Sequence, residues 1–289
     1  MKRLWITFRY TFIQLKGQII GWGAGLALLG LLIVPFYEVF GAQQDQFQQM
    51  MQSYPEEFLA FFGGDAESVL TPAGYLKMYA FSMLPIIIGI FSVLAGSGLI
   101  VSDEERGRLD LIVTHPVGRT AMFFGRFLGF LGAAACILLI GWLGFCLLLG
   151  QSSLGLNWGQ VAVPFISLFA QVMIYAAFAI LLSMVLPTRN LAAMLTGALL
   201  VVSYFVSSMI FMDERLEMAA KALPHYYYQI ALSFEELNLS WLFGLFGVSL
   251  VMVLLAWQLF IRRDIRLSGE GSWRFPTLFS RRKTRKLIA

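Results

Sequence analysis

Between Arg126 and Arg189 the sequence runs for 62 residues without one Asp, Glu, Lys or Arg. As a single helix that stretch would be about 93 Å long, roughly three times the ~30 Å of hydrocarbon in a bilayer. It must turn back, and the polar, glycine-bearing run from Gly150 to Gln160 is where a turn is chemically natural. Four further charge-free intervals suit one crossing each: 21 residues after Lys16, 25 after Lys77, 23 after Arg189 and 25 after Glu236. That makes six spans, near 19–40, 78–102, 121–149, 161–186, 190–212 and 238–261. No ten-residue alternation of the barrel kind is present, and a helix in lipid satisfies its own backbone. Charged residues are 13% of the chain against about 25% in soluble domains, so lipid is the solvent for most of it. The expected fold class is an all-α membrane protein with six transmembrane helices.

An even span count puts both termini on one side. That side holds 18 of the 21 Lys and Arg, and the other holds 11 of the 17 acids. The bias predicts cytoplasmic termini and a multi-pass protein of a bacterial plasma membrane. Residues 1–17 read as an amphipathic helix on the inner leaflet, with Leu4, Phe8, Phe12 and Leu15 on one face and Lys2, Arg3, Arg9 and Lys16 supplying charge. The run that follows is too long for a cleaved signal peptide. Residues 18–262 form the six-span domain, and 263–289 a basic tail. No aromatic platform accompanies the tail's charge, so it reads as an arm near anionic lipid rather than a nucleic-acid site.

The spans offer little for covalent chemistry. Cys136 and Cys146 lie ten residues apart in one apolar run, about 15 Å along a helix, too far to pair and without a third soft ligand for a metal. Neither a catalytic residue nor a metal site is assigned. No acid, base or histidine is expected at membrane depth, where ion-coupled transporters normally carry them. No G-x-x-x-x-G-K-[ST] phosphate loop is present, so energy for vectorial work would have to come from a partner. Gly17, Gly21 and Gly25 form a small-residue ladder suited to a dimer contact or to packing within the chain, and Gly125 with Gly129 repeats it. Gln171, Tyr175, Ser183, Thr196, Ser203 and Ser207 either line a polar substrate path or hydrogen-bond between helices.

The loop between spans two and three is the most pointed feature. Ser102 and Glu105 have capping-box spacing, and Pro116 pushes His115 out of helical geometry. Within the short helix so bounded, Leu109, Ile112 and Val113 share a face that asks for a partner groove or a lipid surface. Glu104, Glu105, Arg106, Arg108 and Asp110 would orient docking.

The run Glu104-Glu105-Arg106-Gly107-Arg108-Leu109-Asp110-Leu111, closing on Pro116-Val117-Gly118-Arg119, resembles the coupling-helix signature of ABC-2 type permeases, the membrane subunits of a class of ATP-binding-cassette exporter. Glu104, Glu105, Gly107, Leu109, Leu111, Pro116 and Arg119 match it. Arg108 stands where the family often has Thr, and Gly118 where it often has Ser. The resemblance implies a coupling helix that also includes Arg106, Asp110 and Ile112. It implies two cytosolic ATPase subunits that bind ATP and Mg, no cofactor in this chain, and a homodimer or a heterodimer with a related permease. An apolar path with scattered hydroxyls implies an amphipathic cargo such as a lipid, peptide or drug.

The segment Asp213–Glu236, with Pro224, His225 and three tyrosines from 226 to 228, resembles the family's outer helices. Its aromatic middle is expected to dip into the outer leaflet. The acidic, Gln-rich loop 41–76 is either a cap or a contact for an external partner. In a second reading, ATPase coupling drives such a partner mechanically in a maturation or assembly system. An intramembrane enzyme is disfavoured.

Overall fold

The computed structural model describes residues 2–42, 49, 71–102, 118–210 and 214–262, and every regular element among them is helical. Helix α1 (Lys2–Gln14) passes into α2 (Lys16–Ala42) at Leu15. The amide ladder is not interrupted there, since Leu15 N donates to Thr11 O at 3.0 Å and Ile19 N to Leu15 O at 2.9 Å. The second span is α3 (Pro72–Leu76), a π-helical turn (Lys77–Phe81) and α4 (Leu84–Gly98). Then follow α5 (Arg119–Cys146), α6 (Trp158–Val185) and α7 (Arg189–Met209). A connecting segment contains α8 (Glu217–Lys221) and leads into α9 (Leu239–Arg262). Six stretches are long and apolar enough to cross a bilayer: Lys16–Val39, Pro72–Gly98, Arg119–Gln151, Trp158–Val185, Arg189–Met209 and Leu239–Arg262. The all-α, six-span class read from charge spacing is the one found.

The second span begins about two turns earlier than its charge-free interval. Thr71 caps it, its hydroxyl accepting from Gly74 N at 3.0 Å, and Pro72 opens it. A proline costs nothing at a first turn, where the amide has no partner anyway. Lys77 therefore lies inside the helical stretch. Pro85 then removes the amide that would have bonded Phe81 O, and the ladder re-forms through π geometry. Between spans three and four the chain turns where the polar run predicts. A 3-10 turn covers Leu149–Gln151, and Gly155 takes φ +63°, the left-handed region glycine tolerates. Asn157 N donates to Gln160 Oε1 at 2.8 Å as α6 starts.

Helices α4 and α6 form the centre. Of the most apolar stretch of the spans containing them, 67% is buried, against 22% for α2 and 28% for α9. The two approach closely because Gly96 has no side chain, and a Cβ there would stand 3.0 Å from Ala176 Cα. Phe81, Phe145 and Phe165 form a ring triangle with centroids 5.6 to 5.8 Å apart, and Phe91 stacks on Phe130 at 5.5 Å. Ser92, Thr196 and Ser249 are buried by donating to carbonyls four residues back, at 2.7 to 3.1 Å, which satisfies these three hydroxyls within their own helices.

Glycines on α5 set how α1 and α2 lie. A Cβ at Gly125 would meet Thr7 Cβ at 2.7 Å and one at Gly129 would meet Thr11 Cβ at 2.8 Å, so α1 is seated along the start of α5. Farther along, Gly144 faces Ala27 and Gly30 of α2 faces Phe145. The N-terminal helix, expected on the leaflet surface, thus has one face packed against a span, while Trp5, Ile6, Tyr10 and Ile13 stay exposed. Gly17, Gly21 and Gly25 are different: nothing stands within 4 Å of a Cβ at any of them.

Arg126, in the second turn of α5, is 3% exposed. It is accommodated because Nη1 donates to Leu99 O at 2.7 Å, one of the carbonyls a helix end leaves over.

Candidate functional site

Arginines gather on the face where α4 and α9 end and where α5 and α7 begin. Besides Arg126, Arg189 Nη2 donates to Leu94 O at 3.2 Å, and Arg119 Nη1 to Ile261 O at 3.0 Å. Each cation comes from the first turns of one helix and reaches the last turns of another, where carbonyl charge is least compensated. Gly98 makes the room, since a Cβ there would stand 2.8 Å from Arg189 Cζ. Span two is thereby tied to spans three and five, and span three to span six. The segment 103–117 leaves and rejoins the bundle between these ties. Glu104, Glu105, Arg106, Gly107, Leu109, Asp110, Leu111, Ile112 and Pro116 lie outside the described residues, and so does the tail 263–289. Of the residues expected to couple to an ATPase, Arg119 is the one that lies among the described residues.

The opposite face is organised around the stretch from Pro224 to Asn238, and here four of the six path residues come together. Gln171 Nε2 donates to Pro224 O at 2.9 Å, and His225 N donates to Ser203 Oγ at 2.9 Å. Tyr175 and Ser207 line cavities on the two sides of the same turn. Thr196 and Ser183 do not join them. Thr196 is held by Ala192 O at 2.8 Å and Ser183 by Ile180 O at 2.7 Å, each within its own helix.

Other anchors were not legible in the sequence. Ser167 Oγ accepts from Gln229 N at 2.9 Å. The side chain of Gln229 clamps Asn238 both ways, Nε2 donating to Asn238 O at 3.0 Å and Oε1 accepting from Asn238 N at 2.5 Å. The carbonyl of Phe81, freed by Pro85, accepts from Tyr228 Oη at 3.0 Å. That proline was the available signal, because a proline four residues on always leaves a carbonyl to be satisfied.

Burial dominates the electrostatics of this turn. The His225 ring packs 5.2 Å from Tyr204 and 5.6 Å from Tyr228. Desolvation holds the imidazole down at about 4 and pushes the Tyr228 phenol well above its ordinary value, so both are neutral at pH 7. His225 Nδ1 is buried without a hydrogen-bond partner among the described residues.

Two cavities flank the turn. One of about 850 Å³ is the more polar of the two and lies between the start of the second span, the end of α7 and the 225–241 stretch. The other, about 590 Å³, is apolar and lies between α6, α7 and α9. Both are in the ordinary range for small-molecule sites, about 300–1,000 Å³. Among the described residues no group of three His, Cys, Asp or Glu is placed to hold a metal.

The family described as ABC-2 family transporter protein matches residues 21–265, which takes in all but the first few residues of the six spans. No curated protein matches the chain.

Proposed function

The chain belongs to the ABC-2 family of transporter proteins, and we propose that it is the permease subunit of an exporter driven by separate cytosolic ATPases. The family match over residues 21–265 carries this reading. The basic face, with α1 and the ends of α4 and α9, is then cytoplasmic, and the membrane is a bacterial plasma membrane. Two copies of the ATPase bind ATP and Mg. Each docks the helix around Leu109, Leu111 and Ile112 in a groove, oriented by Glu104, Glu105, Arg106 and Asp110.

The arginine ties support a route for the force. A push on 103–117 acts first on Ser102 and Gly118, at the ends of spans two and three. Arg126 and Arg189 tie the end of span two to spans three and five, and Arg119 links span three to span six. Rigid helices joined at one end rock together, which suits alternation between inward and outward states. The permease works as a pair, and Gly17, Gly21 and Gly25 are the contact, since their faces are open in the single chain. The cargo is amphipathic and leaves beneath the 224–238 stretch.

Leu109→Asp tests the coupling. A charged side chain in an apolar groove is left desolvated and unpaired, so ATP-driven export is expected to stop while the protein still inserts. Export at the wild-type rate by that variant would contradict the docking.

A further inference from the structure

We infer that the two cavities beside Trp241 are the halves of one binding site for a single-chain amphiphile with a zwitterionic phosphate-ammonium head, its head in the polar cavity and its tail in the apolar one. Trp241 lines both, with Tyr226 on the polar side and Tyr227 on the apolar side, and the three rings pack 5.3 to 5.5 Å apart. A site that is polar on one side of an aromatic wall and apolar on the other has the amphipathic division of a lipid.

The charges choose the head. Lys77 lines the polar cavity at the start of the π-helical turn, half-buried, with no ion-pair partner among the described residues. Across the lining, Glu236 Oε2 accepts only from Leu232 N, at 3.4 Å. Glu217 is engaged by Lys221 at 2.9 Å. This cavity therefore presents one cation and one anion, Lys77 and Glu236, that have no ion-pair partner among the described residues. A ligand carrying both signs satisfies both, whereas a purely anionic or purely cationic head leaves one of them opposed. Tyr226 and Trp241, which line the same cavity as Glu236, add ring faces, the recognition surface for a quaternary ammonium. Ser207 and the neutral His225 supply uncharged hydrogen-bonding groups for the phosphate and glycerol oxygens.

The apolar half suits one acyl chain entering from the membrane. Gly244 and Val248 of α9 line it and are exposed on the bundle surface, so the groove opens sideways. A Cβ at Gly244 would meet nothing within 4 Å, so Gly244→Leu fills the groove without disturbing the helix.

This inference deepens the proposed export function by naming its cargo class, and its test needs no ATPase. The full chain is reconstituted in nanodiscs of phosphatidylglycerol, which lacks an ammonium group. Binding of tritiated palmitoyl lysophosphatidylcholine is measured with empty discs subtracted. Saturable binding is expected, with Gly244→Leu and Glu236→Gln each weakening it about tenfold while melting like the wild type. Lysophosphatidic acid, without the ammonium, is expected to bind weakly and to bind more tightly, not less, in Glu236→Gln. Absence of saturable binding, a folded variant of either kind with unchanged affinity, or lysophosphatidic acid binding as tightly as the choline lipid overturns the two-part site. Intact binding without ATP-driven export would overturn the exporter reading and leave this one standing.

Discussion

At the scale of single residues, glycine and histidine carry the clearest consequences. A Cβ at Gly144 would stand 2.3 Å from Ala27 Cα, a backbone atom that cannot rotate away. Gly144→Ala should therefore lower stability by about 1–3 kcal/mol or more, seen as an earlier melt of the detergent-solubilised protein. Gly247→Ala meets open space and should not lower the melt. His225 adds a pH dependence whose sign is fixed. Burial holds its folded value at about 4, below the unfolded 6.5, so between those values the unfolded chain binds the proton and the folded chain does not. Stability from this group is fully present above about 6.5 and falls as the pH is lowered toward 4. A thermal midpoint that drops across that window, with a shallower drop in His225→Phe, is the expected result.

At the scale of elements, the charge intervals located all six spans because each crossing demands an uninterrupted apolar helix, a requirement no tertiary contact relaxes. Their ends were less legible. Lys77 was taken as a boundary, yet it sits inside a helical stretch because Thr71 and Pro72 start the second span early, and nothing local marks Leu99 O as the acceptor for the Arg126 guanidinium. Gln171 and Ser203 were visible as polar residues in spans, but their work is to hold the Pro224–His225 turn, a pairing across distant sequence that no local pattern encodes. The arginine ties give predictions at this scale. Arg126→Leu should cost about 1.5–3 kcal/mol, the worth of a charged hydrogen bond, measured by the same melt. Arg119→Ala, whose bond to Ile261 O is exposed, should leave the melt nearly unchanged yet reduce ATP-driven export, because it severs the link between spans three and six.

At the scale of the whole molecule, family membership and the six-span bundle place this chain among membrane transport subunits. Its two ends differ in kind. One is a set of helix termini tied by arginines around residues 102 and 118, and the other is a pinned turn between two cavities. Under the proposed reading the first end takes force and the second handles cargo, which requires a partner that supplies the force. The most direct measurement places a photo-crosslinking benzophenone amino acid at position 109 in native membranes and identifies what it captures. An adduct with a soluble, phosphate-loop ATPase, lost when Glu105 is replaced by Ala, is the predicted result. Labelling of a cysteine at position 109 by a membrane-impermeant reagent in intact cells, or adducts with lipid alone, would contradict the account.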